Sequence, residues 1–139
     1  MYDRWTVWLL IFGAVFACLV SLAVVGPWLS NKAHHRKHGW HVELVFLDIE
    51  IDIRPPVKFA VAYFEGAGNC LCLFGEMRKD LDGRLDVPSE HGWDARVPEF
   101  ARQRRAEILS RLQEQRAGME LYVTPYARVE QSLRAIRTK

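Results

Sequence analysis

The sequence has little cysteine and no recognisable catalytic motif. Its 139 residues include three cysteines, Cys18, Cys70 and Cys72. This odd, small number excludes a complete disulfide framework, so reduced thiols are expected. No Walker element, CxxC or HExxH motif, Ser-His-Asp order or internal repeat is present. Gly66 and Gly68 lack the lysine and the third glycine of a phosphate-binding loop. We therefore expect a protein that is not an enzyme and that binds no metal or cofactor.

Charge is absent from a long stretch near the N-terminus. From Trp5 to Asn31 there is no Asp, Glu, Lys or Arg. Between Thr6 and Pro27 there are twelve Val, Leu, Ile and Phe residues, namely Val7, Leu9, Leu10, Ile11, Phe12, Val15, Phe16, Leu19, Val20, Leu22, Val24 and Val25. Thr6 to Pro27 would rise about 33 Å as a helix, enough for a hydrocarbon core of roughly 30 Å. The twelve side chains would favour insertion by roughly 4 to 7 kcal/mol. One transmembrane helix is predicted, with an end or a kink at Pro27.

A cleaved signal peptide is the alternative for this segment. Such a peptide has a positive start, an apolar stretch of about 7 to 15 residues and a small-residue cleavage site. This chain starts Met-Tyr-Asp-Arg, and its apolar stretch is longer. Residues 15–18 resemble a lipoprotein cleavage box, but apolar rather than polar residues follow them. An uncleaved anchor is the preferred interpretation.

The flanks of the segment predict its orientation. Lys32, Arg36 and Lys37 follow it, whereas only Arg4 precedes it, beside Asp3. Lys and Arg close to a membrane segment favour the cytoplasmic side. We therefore expect a bacterial inner (plasma) membrane protein with its N-terminus outside and its C-terminal domain in the cytoplasm. Aromatic residues typical of membrane interfaces lie at both ends: Tyr2, Trp5, Trp8 and Trp28.

Two sets of residues in and after the helix predict its contacts. Small residues spaced at four, Gly13, Ala17 and Ser21, would let another helix approach closely. They favour a homo-oligomer or a protein partner within the membrane. A basic collar that faces anionic lipid is predicted from Lys32, His34, His35, Arg36, Lys37 and His38. A zinc site within the cluster His34 to His41 is less favoured, because no nearby acidic or cysteine ligand completes it.

The chain divides into three predicted segments. They are a transmembrane anchor (1–31), a basic juxtamembrane linker (32–40) and a small cytoplasmic α+β domain (41–139). Residues 32–40, 41–98 and 99–139 carry formal charges of +3, −5 and +4. The near-neutral total argues against a nucleic-acid partner. The opposed charges suggest a sheet and a helix layer that attract each other.

Alternating apolar residues predict an antiparallel sheet of about four strands. The clearest strand runs from Val45 to Ile53 and is stopped by Pro55 and Pro56. Further strands are predicted at residues 57–63, 70–76 and 119–124. A meander is the economical connection of these strands. Residues 78–96 are predicted to form a loop without a helix.

Two helices complete the predicted α+β fold. An amphipathic helix is expected over residues 98–116, with Pro98 in its first turn, Asp94 as its cap and Gly118 after its end. A short C-terminal helix is predicted from the helical spacing of four apolar residues, Tyr126, Val129, Leu133 and Ile136.

Two constellations in the predicted sheet invite chemical interpretations. Asp48, Glu50 and Asp52 share one strand face, and neighbouring carboxylates would be about 6.6 to 7 Å apart. This spacing suits a glycosidase pair, but no general-acid environment accompanies it. We interpret these residues as a soluble strand face and a patch for a basic partner. Cys70 and Cys72 would point the same way on a strand, as buried structural thiols rather than a metal or redox pair.

Residues 93–123 resemble the C-terminal half of small immunity proteins from bacterial polymorphic toxin systems. The shared pattern is a tryptophan, a Pro-Glu helix start, a helix, a glycine and a strand. It is carried by Trp93, Val97, Pro98, Glu99, Ile108, Leu112, Gly118 and Tyr122. A membrane anchor precedes the domain here, which departs from that family, and no functional residue is carried over.

Two functions of different classes follow. The first is a single-pass membrane protein whose domain is a non-enzymatic protein-interaction module or an accessory subunit of a membrane complex. The alternative is a membrane-tethered immunity or inhibitor protein that acts against a toxin.

Overall fold

The computed structural model describes residues 4–47, 56–77 and 83–137 of the chain. In that part the fold is α+β, with one long N-terminal helix followed by a sheet packed against shorter helices. The helices are α1 (Arg4–His38), α2 (Glu90–Arg96), α3 (Arg105–Gln115) and α4 (Leu133–Arg137). The strands are β1 (Trp40–Phe46), β2 (Val57–Glu65), β3 (Asn69–Met77), β4 (Gly83–Val87), β5 (Met119–Val123) and β6 (Val129–Glu130). The sheet has more strands than the four predicted.

Helix α1 is apolar and fully exposed over most of its length. It has the length and composition to cross a membrane. No residue between Arg4 and His38, all of which the structure describes, is buried. The helix continues through Pro27 rather than ending there, and the predicted linker is helical as far as His38. Gly39 then takes a left-handed conformation, with φ of +78°, and β1 begins at the next residue.

The sheet combines the predicted antiparallel meander with one parallel strand. The strand order is β1-β2-β3-β4-β5, and β6 pairs with β3. Strands β1 to β4 pair antiparallel, as does β6 with β3. Strand β5 is parallel to β4, which corrects the expectation of a wholly antiparallel sheet. A chain that leaves β4, crosses the sheet through α2 and α3 and returns beside β4 arrives in the parallel direction.

The first strand differs in position from the prediction. It begins at Trp40, five residues before the expected start at Val45, and runs to Phe46. The rest of the predicted strand, from residue 48 to residue 53, lies outside the described residues.

The predicted loop at residues 78–96 contains both a strand and a helix, so that prediction was wrong. Strand β4 buries Gly83, Leu85 and Val87 and leaves the residues between them partly exposed. Helix α2 starts after Ser89, whose hydroxyl accepts a hydrogen bond from the Gly92 N–H at 3.2 Å. This is the ordinary capping role of serine at a helix N-terminus.

The helix expected over residues 98–116 is interrupted. A 3₁₀ turn (Glu99–Ala101) precedes α3, and Gln103 between them has a φ of +58°. Asp94 does not cap α3; its Oδ1 accepts the Gln103 N–H at 2.7 Å and fixes the break. The buried Trp93 donates its indole N–H to the Ala101 carbonyl at 2.9 Å, which ties α2 to the 3₁₀ turn.

The two faces of the sheet carry different cores. One face packs against α2 and α3, and its largest buried side chains are Trp40, Val42, Phe59, Val61, Tyr63, Leu71, Leu73, Leu85, Val87, Trp93, Ile108 and Leu112. The opposite face carries Ala62, Cys70 and Cys72, with Leu133 and Ile136 of α4 packed against them. Helix α4 bears out only the last part of the predicted C-terminal helix, with Leu133 and Ile136, because Val129 lies in strand β6 and pairs with Leu73 of β3 instead. The helix covers the smaller residues of the sheet.

A glycine in β3 provides a test of this packing. A Cβ atom at Gly75 would overlap the Arg84 carbonyl oxygen and lie 2.7 Å from Phe59 Cζ. We expect Gly75→Ala to lower the free energy of unfolding by about 2 kcal/mol, because neither the β4 backbone nor the buried ring has room to move. Urea unfolding of the detergent-solubilised protein, followed by near-ultraviolet circular dichroism, measures this.

The matched control for Gly75 is Gly83 in the neighbouring strand. A Cβ there would make only ordinary contacts, at 3.7 Å from Phe59 Cζ and 3.9 Å from Met119 Cγ. Gly83→Ala should change stability by no more than about 1 kcal/mol. Equal losses in both variants would contradict the packing described here.

Candidate functional site

The last turns of α1 and strand β1 form the most elaborate polar and aromatic arrangement in the described structure. The chain reverses at Gly39, so β1 runs back alongside the helix. On the core face of β1, the ring of Trp40 lies edge-on to His34, with centroids 4.5 Å apart, and 6.2 Å from His38. The His34 and His38 rings are 4.4 Å apart, as expected for residues one helical turn apart. These contacts attach the end of α1 to the sheet.

Trp40 continues this aromatic contact into the domain. Its ring stacks on Tyr63 of β2 with centroids 6.1 Å apart, and the Arg111 guanidinium lies 5.2 Å from its centroid. Arg111 also donates to the Tyr63 hydroxyl at 2.6 Å. Burial raises the pKa of Tyr63, so its hydroxyl keeps its proton and accepts this hydrogen bond. Helix α1, the sheet and helix α3 therefore meet at one indole ring.

Ion pairs between the sheet and α3 surround this contact. Arg104 donates to both carboxylate oxygens of Glu65, at 2.7 and 3.0 Å, and Arg111 donates to one of them at 2.8 Å. Glu107 pairs with both arginines on the outer side. The hydrogen bonds from Arg104, with those from Arg111, lower the pKa of Glu65 to about 2. Ion pairs between a carboxylate of the sheet and arginines at and within α3 therefore occur at this network.

A second arrangement lies on the opposite face of β1. The Nδ1 atoms of His35 and His41 are 2.9 Å apart, and His41 Nε2 lies 3.3 Å from Glu43 Oε1. The Glu43 carboxylate only accepts, so neutral His41 carries its proton on Nε2 and accepts from His35 through Nδ1. Burial lowers the pKa of His41, and Glu43 acts in the opposite direction. The His41 ring also stacks on Phe64, with centroids 4.8 Å apart.

An open groove of about 430 Å³ lies between α1 and β1 on this face. It is called the junction groove below. Its lining residues are Trp28, Asn31, Lys32, His35 and Arg36 of α1, with His41 and Glu43 of β1. The Lys32 ammonium lies 4.7 Å from the centroid of the Trp28 ring. The groove therefore combines two permanent cations, two imidazoles, an amide and an indole with one carboxylate.

The structure divides the residues of the predicted basic collar among three surroundings. Lys32, His35 and Arg36 line the junction groove, His34 and His38 pack on Trp40, and Lys37 is exposed away from both. The three residues spaced at four in the membrane helix, Gly13, Ala17 and Ser21, are all exposed. The predicted partner patch, Asp48, Glu50 and Asp52, lies outside the described residues.

Cys70 and Cys72 lie together on one strand face, as their spacing predicts. Both are buried, and their sulfurs are 3.6 Å apart. The neighbouring Cys70 and burial raise the pKa of Cys72, which keeps it a thiol. Among the described residues, no group of three or more His, Cys, Asp or Glu side chains is placed to hold a metal ion.

Sequence reasoning missed the residues that hold the junction together. Trp40 was placed at the boundary of a linker, and Glu65, Arg104 and Arg111 were not singled out. Gln115 at the end of α3 was also missed, although its Oε1 accepts the Val42 N–H at 2.7 Å on the outer edge of β1. Two features of the sequence indicate this junction. They are the glycine before Trp40, where the chain can reverse, and the opposed charges of the two halves of the domain.

The ion-pair network predicts an acid-dependent loss of stability. The folded-state pKa of Glu65 is lowered from 4.5 to about 2, so the ionised carboxylate stabilises the fold above about pH 4.5. That contribution disappears as the pH falls from about 4.5 to about 2. We expect Glu65→Gln to lower the free energy of unfolding by about 2 kcal/mol at pH 7 and by almost nothing at pH 2. Urea unfolding across this pH range measures the difference.

The control for Glu65 is the exposed carboxylate Glu120 on β5. Glu120→Gln should change stability by less than about 0.5 kcal/mol at every pH. If Glu65→Gln lowered the free energy of unfolding by the same amount at every pH, the proposed role of the carboxylate charge would be contradicted.

The histidine arrangement predicts a shift in one titration. Burial lowers the pKa of His41, while the hydrogen bond and charge of Glu43 raise it. Glu43→Gln should therefore lower the pKa of His41 further. Long-range ¹H–¹⁵N spectra of the histidine rings against pH, with Glu120→Gln as control, measure the pKa and report the Nε2–H tautomer. An unchanged or raised pKa would overturn the described contact.

No protein-family model, curated protein or solved structure matches the chain in the three comparisons made.

Proposed function

We propose that this is a single-pass, membrane-anchored protein whose α+β domain serves as a non-enzymatic protein-interaction module or accessory subunit of a membrane complex. The observation that carries the proposal is the contrast within α1. Its apolar length is exposed throughout, while its polar end is fixed to the sheet through Trp40. An exposed apolar helix of this length requires a surrounding apolar phase.

The anchor is proposed to lie in the inner membrane with the domain on the cytoplasmic side. Lys32, Arg36 and Lys37 at the domain end outnumber Arg4 at the other end, which favours this orientation. Trp28 would mark the cytoplasmic interface.

The partner contact is proposed for the small residues of the anchor. Gly13, Ala17 and Ser21 are exposed, and a Cβ added to Gly13 meets no other atom within 4 Å. Small residues at this spacing let two helix backbones approach closely and gain van der Waals contact in the membrane. A second membrane helix, from another protein or from a second copy of this chain, would fit there.

The first test is the fate of α1 in the cell. After native expression, we expect the protein to stay in the membrane fraction after alkaline carbonate extraction. Its intact mass should include residues 4–38. A mature protein that lacks this segment would identify a cleaved signal sequence and overturn the proposal.

The second test addresses the partner. Affinity purification in mild detergent, followed by mass spectrometry or cross-linking, should recover a stoichiometric partner or a homo-oligomer. Gly13→Leu combined with Ala17→Leu should reduce that recovery by about tenfold or more, because the added side chains separate the helices.

The matched control adds bulk to the other side of the same helix, with Val15→Leu and Ala23→Leu. It should leave the recovery unchanged. Equal recovery from both variants would show that the small residues do not form the contact. Recovery of a monomer without a partner would contradict the accessory-subunit proposal.

A further inference from the structure

We infer that the junction groove binds the phosphate headgroup of an anionic glycerophospholipid. The inference rests on the proposed membrane anchoring and names the lipid class and the residues involved. A general basic surface would attract anionic lipid through all of its cations. In the proposed site, binding involves one face of α1 and two of its cations, Lys32 and Arg36.

The charges of the groove favour an anion. Lys32 and Arg36 are exposed and one helical turn apart, so both can reach the same ligand. Within the described residues, neither forms an ion pair with a carboxylate. Among the described residues that line the groove, Glu43 is the acidic one, and it is hydrogen-bonded to His41 at 3.3 Å. An ammonium and a guanidinium group that no described carboxylate neutralises are the usual partners of a phosphate.

The depth of the groove fits a lipid headgroup. Lys32 lies five residues beyond Pro27, which corresponds to about 7.5 Å along a helix. The headgroup layer extends about 5 to 8 Å beyond the hydrocarbon core on each side. Trp28, at the start of the groove, is of the residue type that lies at this interface. A phosphate held by Lys32 would therefore be at the depth where lipid phosphates occur.

The surface below the groove suits an acyl chain. Val24 and Val25 lie one turn closer to the N-terminus than Trp28, and both are exposed. A ligand with a phosphate and a long apolar chain would cover both the junction groove and this apolar surface, whereas a free phosphate would cover only the groove. This continuity favours the lipid as the source of the phosphate.

The experiment uses the full-length protein in detergent micelles and native mass spectrometry. Phosphatidylglycerol, phosphatidylcholine and inorganic phosphate are titrated separately. We expect one phosphatidylglycerol bound per chain, with phosphatidylcholine at least about tenfold weaker and no binding of inorganic phosphate over the same concentrations. The double variant Lys32→Gln, Arg36→Gln should bind phosphatidylglycerol about 30-fold more weakly.

The control variant, Lys37→Gln with Arg102→Gln, removes the same charge from exposed positions outside the groove. It should stay within about twofold of the wild-type affinity. Circular dichroism checks that both variants are folded.

Equal binding by the two variants, or equal binding of the two lipids, would overturn the inference. Binding of inorganic phosphate at lipid-like affinity would assign the groove to a free phosphate and overturn the lipid assignment. Carbonate extraction of the same wild-type protein separates the two proposals. A protein that stays in the membrane without lipid selectivity disproves the groove alone, whereas a protein released by carbonate disproves the anchor.

Discussion

The burial of Trp40 is the interaction on which the rest of this structure depends. The indole is 6% exposed and contacts α1 through His34, the sheet through Tyr63 and α3 through Arg111. Burying 150 to 250 Å² of aromatic surface contributes about 4 to 6 kcal/mol at 25 cal/mol per Å². The partly buried ion pairs of Glu65 contribute about 2 kcal/mol together. Apolar burial therefore supplies most of the energy at the junction, and the ion pairs of Glu65 with Arg104 and Arg111 determine which part of α3 lies over it.

The two faces of β1 hold α1 in different ways. His34 and His38 contact Trp40 on the core face, and His35 contacts His41 on the other. Contacts on both faces of one strand resist rotation of the helix about its axis, because a rotation that preserved one contact would break the other. The left-handed Gly39 makes this possible, since it reverses the chain within one residue and sets β1 beside the helix. The faces of α1 therefore keep a fixed direction relative to the sheet.

Much of this architecture follows from local sequence patterns, and the parts that do not are set by distant contacts. The long apolar helix and strands β2 and β3 could be predicted because hydrophobic periodicity specifies them directly. The same periodicity misplaced β1 and assigned Val129 of β6 to a helix. Strand β4 was missed because it has five residues, begins at a glycine and includes both Arg84 and Asp86. The break before α3 depends on the hydrogen bond between Asp94 and Gln103. The basic collar could be identified from charge, but its division around Trp40 depends on the chain reversal at Gly39.

The fixed direction of α1 brings the two proposed contact regions onto one face. At 100° per residue, Gly13, Ala17 and Ser21 lie within about 60° of Trp28 around the helix axis, and Lys32 and His35 fall in the same sector. A helix docked on the small residues would therefore lie along the surface that leads to the junction groove. The end of that docked helix nearer the α+β domain would lie beside the bound headgroup, or a polar end there would occupy the groove in place of the headgroup. Since α1 is held by both faces of β1, partner, lipid and domain are proposed to meet along a single surface of this protein.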